Sequence, residues 1–209
     1  MKYKQHVLDK INNATLHTEP YEHLFIEDFL DDDDYDILRE DFHDKDWIHE
    51  FAYNKLDYFT EDEVERGDRD HCYNHGCGWD EYMEFLESEE FIETLCNKFK
   101  CESILPHLKY VVHGYLLDMP ENYIPIHEDS DGSEVPVFQI SVFCPDQDYD
   151  EFGTILYKDE EGNGRLETPM KRNAALIYGT NPSQAWHGTK PGDRIRKSIL
   201  TRYRTTVYK

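Results

Sequence analysis

Positively charged residues are scarce in this chain. Of its 209 residues, 22 are Lys or Arg and 45 are Asp or Glu, which gives a formal net charge of −23. A field of this sign repels phosphate backbones, so nucleic acid is not expected as a partner. The same field favours cationic partners, although it is also typical of an ordinary solvated acidic surface.

Long apolar runs and a secretory signal are also lacking. No run of about 18 apolar residues is present, so no membrane-spanning segment is predicted. Residues 1–6 lack the apolar core of a signal peptide. The cysteines are odd in number, which favours reduced thiols over a disulfide framework; they are Cys72, Cys77, Cys96, Cys101 and Cys144. We therefore expect a soluble, cytoplasmic protein.

No repeat or low-complexity linker divides the sequence, and its length suits a single domain spanning residues 1–209. The first half is predicted to be mostly helical. Apolar residues recur at helical spacing in four segments, 3–11, 35–42, 79–86 and 91–99. The last two are out of phase, which indicates two helices joined near Ser88. The four aspartates of residues 31–34 suit a helix N-terminus, because the alternating ligands of a Ca²⁺ loop are missing.

After Leu105 the apolar period changes to two, which is typical of strands. Short runs bounded by Gly, Pro, Asn and Asp predict eight strands, at residues 108–117, 123–127, 135–143, 153–157, 165–167, 174–178, 184–187 and 194–206. This spacing indicates a mainly β fold, a double-stranded β-helix of the jelly-roll or cupin-like type in residues 105–209. Residues 1–104, with a further strand at 21–26, would pack outside it as a helical buttress.

Two segments of this second half suggest a metal site. Residues i and i+2 of an extended chain point the same way, so His127 and Asp129 can converge on one ion. His187 follows at long range, near the end of another predicted strand. Two imidazoles and one carboxylate form the facial triad that binds Fe(II) and leaves the opposite coordination positions open. The sequence therefore predicts that His127, Asp129 and His187 hold one metal ion.

The last predicted strand places Arg196, Ser198 and Arg202 on one face and Lys197 on the other. An inward guanidinium is costly unless it meets an anion, and its planar fork suits a carboxylate. Ser198 would add a hydroxyl donor beside Arg196. A dicarboxylate bound at one end by the metal could thus be held at the other end by Arg196. If Lys197 pointed inward instead, the register would shift by one residue and Ser198 would turn outward.

A second group of metal-binding residue types, His71, Cys72, His75 and Cys77, lies within seven residues. No further Cys/His pair follows at the spacing of a zinc ribbon or finger. A second metal site and a polar loop near the substrate entrance both remain open for this segment.

The motifs together resemble the 2-oxoglutarate- and Fe(II)-dependent oxygenases, particularly the prolyl-hydroxylase-like branch. The family's His-x-Asp, distal His and Arg-x-Ser match residues 127–129, His187 and residues 196–198. Its Gly-Thr strand and the Asn-led strand before the distal His resemble residues 153–157 and 173–178. Residues 21–30 are similar to the family's strand-then-helix opening.

The resemblance implies Fe(II), 2-oxoglutarate and O₂ as cofactor and co-substrates, with ascorbate as a stimulant. It implies that Arg196 and Ser198 bind the 2-oxoglutarate tail and that Tyr115, on the first barrel strand, also contacts it. Gln139 and Ser141 would lie on the strand lining that pocket. The implied reaction is hydroxylation of an unactivated C–H bond, with 2-oxoglutarate decarboxylated to succinate.

The expected substrate is a peptide, with proline suggested by the branch, or a small molecule such as a free amino acid. If the acidic loops 128–134 and 144–152 surround the site, a cationic substrate would be favoured. Three alternatives remain open: a cupin-type metal enzyme that does not use 2-oxoglutarate, a non-catalytic sensor of 2-oxoglutarate, and a cupin-like binding domain.

Overall fold

The computed structural model describes residues 3–40, 49–51, 55–57, 77–118, 120–121, 123–129, 135–179 and 185–205. Its helices are α1 (Tyr3–Asn13), α2 (Asp32–Glu40), α3 (Cys77–Leu86), α4 (Glu89–Phe99) and a 3₁₀ helix (Glu102–His107). Within these ranges, no helix is long and apolar enough to cross a membrane.

The helix boundaries follow local chemistry. Three aspartates occupy the first turn of α2, where they oppose the positive end of the helix dipole. Ser88 caps α4, and its side chain accepts a hydrogen bond from the Phe91 amide at 3.3 Å. The predicted division near Ser88 is therefore confirmed. The helix ends at Lys100 in the left-handed conformation, with φ 56°.

The strands form two antiparallel sheets. The strands are β1 (His23–Ile26), β2 (His49–Phe51), β3 (Lys55–Asp57), β4 (Leu108–Asp118), β5 (Val135–Phe143), β6 (Tyr149–Tyr157), β7 (Leu166–Met170), β8 (Ala174–Gly179), β9 (Trp186–Gly188) and β10 (Arg196–Thr205). The seven-stranded sheet has the order β1-β8-β5-β10-β4-β3-β2, and the three-stranded sheet has the order β7-β6-β9.

Alternation along the strands divides the buried apolar residues into two clusters. One lies between the large sheet and the helices and includes Tyr82, Phe91 and Tyr203. The other contains residues of both sheets, among them Leu156 and Tyr178. The predicted β core with helices packed on its outside is confirmed, and the second cluster marks the interior of the double-stranded β-helix.

Three predictions about the strands need correction. Residues 123–127 do not form a strand; only His127 makes an isolated bridge, with His187. This segment carries Pro125, which has no amide hydrogen for a strand ladder. Strands β2 and β3 were not predicted, and β7 extends beyond the predicted 165–167.

The second group of metal-binding residue types is mostly beyond what the structure describes. His71, Cys72 and His75 lie outside the described residues, while the backbone of Cys77 begins α3.

Candidate metal and co-substrate site

Three side chains from two distant segments meet between the sheets. The Nε2 atom of His127 lies 3.3 Å from Oδ1 of Asp129, and that of His187 lies 3.4 Å from Oδ2. The candidate ligand atoms of the three residues all lie within 4.8 Å of one another. The structure thus brings together the three residues that the sequence singles out as metal ligands.

Backbone contacts fix the two histidine segments against each other. The amide of each histidine donates to the carbonyl of the other, at 3.0 Å and 2.9 Å. Close approach is possible because the next residue is Gly188, where a Cβ would lie 2.7 Å from the Ile124 carbonyl oxygen. The Thr189 hydroxyl also accepts a hydrogen bond from the Ile124 amide at 2.8 Å. Residues 124–127 therefore lie against β9 without belonging to a regular strand.

The orientation of both rings suits metal binding. His127 donates from Nδ1 to the Pro125 carbonyl at 2.9 Å, and His187 donates from Nδ1 to the Ala185 carbonyl at 2.8 Å. A carbonyl can only accept, so in the neutral rings Nε2 carries the lone pair. Both lone pairs face the carboxylate, as in a histidine ligand whose second nitrogen is fixed by an outer partner.

Electrostatics favour the protonation states that a metal requires. Burial alone would raise the pKa of Asp129, but Arg202 and the two imidazoles more than offset this effect, so the pKa is lowered. Burial lowers the pKa of His187 to about 4, although Asp129 opposes the shift. Near neutral pH, Asp129 is therefore ionised and His187 is neutral, which are the states in which these side chains can bind a metal ion.

Arg196 and Ser198 face the same pocket as the two histidines. The guanidinium of Arg196 donates from NH1 to Asp118 at 2.7 Å and from NH2 to the Thr154 hydroxyl at 2.9 Å. Ser198 is 1% exposed, and within the described residues its hydroxyl has no hydrogen-bond partner. Lys197 points to the other face and contacts Asp146 at 3.0 Å. The register that places Arg196 and Ser198 inward is the one observed.

The expectation for Tyr115 is wrong. It pairs with Ile199 across β4 and β10, one position out of step with the Ser198 and Leu116 pair that lines the pocket. Its side chain belongs to the cluster under the helices, and its hydroxyl donates to the Leu38 carbonyl at 3.2 Å. Because successive strand residues alternate between faces, Tyr115 cannot reach the pocket.

Gln139 and Ser141 line the pocket, as the resemblance implies. Sequence reasoning placed Arg202 on the face of Arg196 but gave no role to it or to Asp118, the second charged neighbour. Arg202 donates to the Gln139 side chain at 2.8 Å and to Oδ1 of Asp129 at 3.2 Å. Its alternation with Arg196 along the strand was a usable signal. Asp118 is the last residue of β4, although the sequence there reads as a turn. Nothing in the sequence marks Asp118 as a partner of Arg196.

Solved structures resemble this chain over nearly its whole length. A prolyl-4-hydroxylase from Pseudomonas putida is 10% identical with a TM-score of 0.64, and the match covers 97% of this chain and 98% of that one. A prolyl hydroxylase from Trichoplax adhaerens, in complex with a hypoxia inducible factor oxygen degradation domain peptide fragment, is 12% identical with a TM-score of 0.55, covering 96% and 88%. This chain shares its fold with these two proteins.

A further solved structure has the same fold. EvdO2 from Micromonospora carbonacea var. aurantiaca, complexed with 2-oxoglutarate, is 9% identical with a TM-score of 0.53, covering 96% of this chain and 90% of that one. No protein-family model matches the sequence. No curated protein matches it significantly.

Proposed function

We propose that this protein is an Fe(II)- and 2-oxoglutarate-dependent dioxygenase that hydroxylates an unactivated C–H bond. The observation that carries the proposal is the convergence of His127, Asp129 and His187 beside a pocket that both histidines line together with Arg196. Two imidazoles and a carboxylate suit Fe(II). The proposal is also supported by the fold, which this chain shares with a solved prolyl-4-hydroxylase.

Each residue has a definable part in the proposal. His127, Asp129 and His187 would hold the iron, and Arg196 with Ser198 would hold the tail carboxylate of 2-oxoglutarate. The bound iron would supply the redox chemistry that couples decarboxylation of 2-oxoglutarate by O₂ to hydroxylation, giving succinate and CO₂. The chain itself contributes placement and exclusion of water.

The exposure of the three candidate ligands suggests where substrate would approach. The side chains of Asp129 and His187 are each 6% exposed, whereas that of His127 is 34% exposed. Tyr178 is fully buried beside His187, with ring centroids 5.2 Å apart, and closes that side to solvent. Substrate would therefore approach from the side of His127.

The substrate we propose is a peptide or a free amino acid. A prolyl residue is the first candidate, because prolyl hydroxylases are among the solved proteins with this fold. The structure weakens the argument for a cationic substrate. In residues 144–152, Asp146 binds Lys197, Asp148 accepts from the Arg172 amide and Glu151 binds Lys190. These acids already have partners within the chain.

The experiment is an assay for succinate with Fe(II), 2-oxoglutarate and O₂, with and without candidate peptides and amino acids. Ascorbate is included to keep the iron reduced. We expect succinate formation that requires Fe(II), and one added oxygen in the substrate by mass spectrometry. Binding of 2-oxoglutarate without succinate formation would favour the sensor. Absence of both binding and turnover would favour a cupin-like binding domain.

A further inference from the structure

Arg196, which the proposed function assigns to the co-substrate tail, already holds a carboxylate of this chain. Its NH1 lies 2.7 Å from Oδ2 of Asp118, and the two side chains are 11% and 7% exposed. NH2 is bonded to Thr154. The pair is mostly buried, so its attraction is screened far less than that of a surface ion pair.

The position of Asp118 is set by the sheet itself. Arg196 and Asp118 are direct partners in the antiparallel pairing of β10 with β4, and Ser198 is the partner of Leu116. Residues directly opposite in such a pair project on the same face. Asp118 therefore lies on the same face of the sheet as Arg196 and Ser198, and we call this face of β4 and β10 the wall.

Two polar atoms on this wall remain for a ligand. Nε of Arg196 and the hydroxyl of Ser198 are buried and have no hydrogen-bond partner among the described residues. Both residues line the pocket that His127 and His187 also line. A buried hydroxyl without a partner is costly, and a bound carboxylate oxygen would satisfy it.

We propose that Asp118 is a specificity-determining residue that competes with the co-substrate's tail carboxylate for Arg196. One guanidinium charge would be shared by two carboxylates, and their mutual repulsion would oppose binding of the dicarboxylate. Asp118 thereby sets the concentration of 2-oxoglutarate at which the site fills. This inference rests on the proposed function and concerns the affinity of the same site.

The test is Asp118→Asn, which removes the charge and keeps an oxygen that can accept from Arg196. Binding of 2-oxoglutarate is measured by anaerobic calorimetry with Fe(II) present. We expect roughly tenfold tighter binding than in the unaltered protein, because a like charge beside the ligand is removed. The matched control is Asp146→Asn, which removes an exposed carboxylate paired with Lys197 on the opposite face of β10. Its affinity for 2-oxoglutarate should be unchanged.

Equal or weaker binding by a folded Asp118→Asn variant would overturn the inference and leave the proposed function standing. Failure of the unaltered protein to bind 2-oxoglutarate would instead contradict the proposed function.

A second measurement needs no variant: the unaltered protein is titrated with 2-oxoglutarate and with its 5-amide, whose tail is neutral. We expect affinities within roughly tenfold of each other, since the amide can donate to Asp118. A preference for the dicarboxylate beyond about a hundredfold would contradict competition at Arg196.

Discussion

The two faces of β10 differ in what they contribute. The face towards the helices carries Ile199 and Tyr203, both fully buried in an apolar cluster. The face towards the small sheet carries Arg196, Ser198 and Arg202, which line the candidate site. One strand thus supplies packing on one side and charge on the other. This division predicts that changes on the first face affect stability and that changes in the pocket affect binding.

The largest effect is expected from His187→Ala on the pocket side. Loss of one of three proposed iron ligands should reduce Fe(II)-dependent succinate formation by at least roughly a hundredfold, the upper end of what weaker outer-shell changes cause. Far-UV circular dichroism should show a folded protein. His6→Ala is the control, since His6 bonds the distant Asp28 carbonyl. Full activity in the His187 variant would contradict its role.

On the helix side, Tyr203→Ala should act on stability. Tyr203 is fully buried, its hydroxyl donates to the Leu86 carbonyl at 2.8 Å, and its ring stacks 6.4 Å from that of Phe91. Truncating such an aromatic side chain costs about 3–5 kcal/mol of unfolding free energy. Urea denaturation measures this loss. The fraction that stays folded should bind 2-oxoglutarate normally, and weakened binding in that fraction would break the division between the faces.

Tyr115→Phe tests the same division by a smaller change. Loss of the hydrogen bond to Leu38 should lower the unfolding free energy by about 1 kcal/mol. The affinity for 2-oxoglutarate should not change, because the ring points away from the pocket. A weaker affinity, measured by anaerobic calorimetry, would show that Tyr115 contributes to binding of the co-substrate.

The smallest effect concerns pH. Burial, with a smaller contribution from His17, lowers the pKa of His23, whose ring donates to the Tyr21 carbonyl. As pH falls below about 6.5, the unfolded chain takes up a proton before the folded chain does, so stability falls until the folded pKa is reached. Urea denaturation from pH 7 downwards should show a shallower loss for His23→Gln. Identical slopes would show that His23 titrates alike in both states.

The fold was predictable where apolar period and local chemistry agree. The out-of-phase apolar stripe around Ser88 and the two-residue period of β5 and β10 each led to the observed element. The prediction of a strand at residues 123–127 was wrong because the chain there is held extended by its contact with β9, not by strand pairing. The three-residue strand β3 depends on pairing with β4, and β2 depends on pairing with β3; no local pattern reveals either pairing.

The candidate site was predictable to a similar degree. Alternation along β10 gave the inward direction of Arg196 and Ser198. The prediction that Tyr115 contacts the co-substrate failed because the face on which Tyr115 lies depends on the register of β4 against β10. That register is a long-range property. The pairing of Asp118 with Arg196 depends on the same register. A carboxylate at the end of a strand gives no sign of the partner that the sheet will place opposite it.

The most direct test of the central claim is an anaerobic absorption spectrum. Fe(II) and 2-oxoglutarate added together should produce a weak visible charge-transfer band, which neither produces alone. His187→Ala and Asp129→Ala should abolish the band, while Tyr115→Phe should keep it. A spectrum without this band, from protein shown to bind Fe(II), would contradict the claim that His127, Asp129 and His187 present iron to a keto acid held by Arg196.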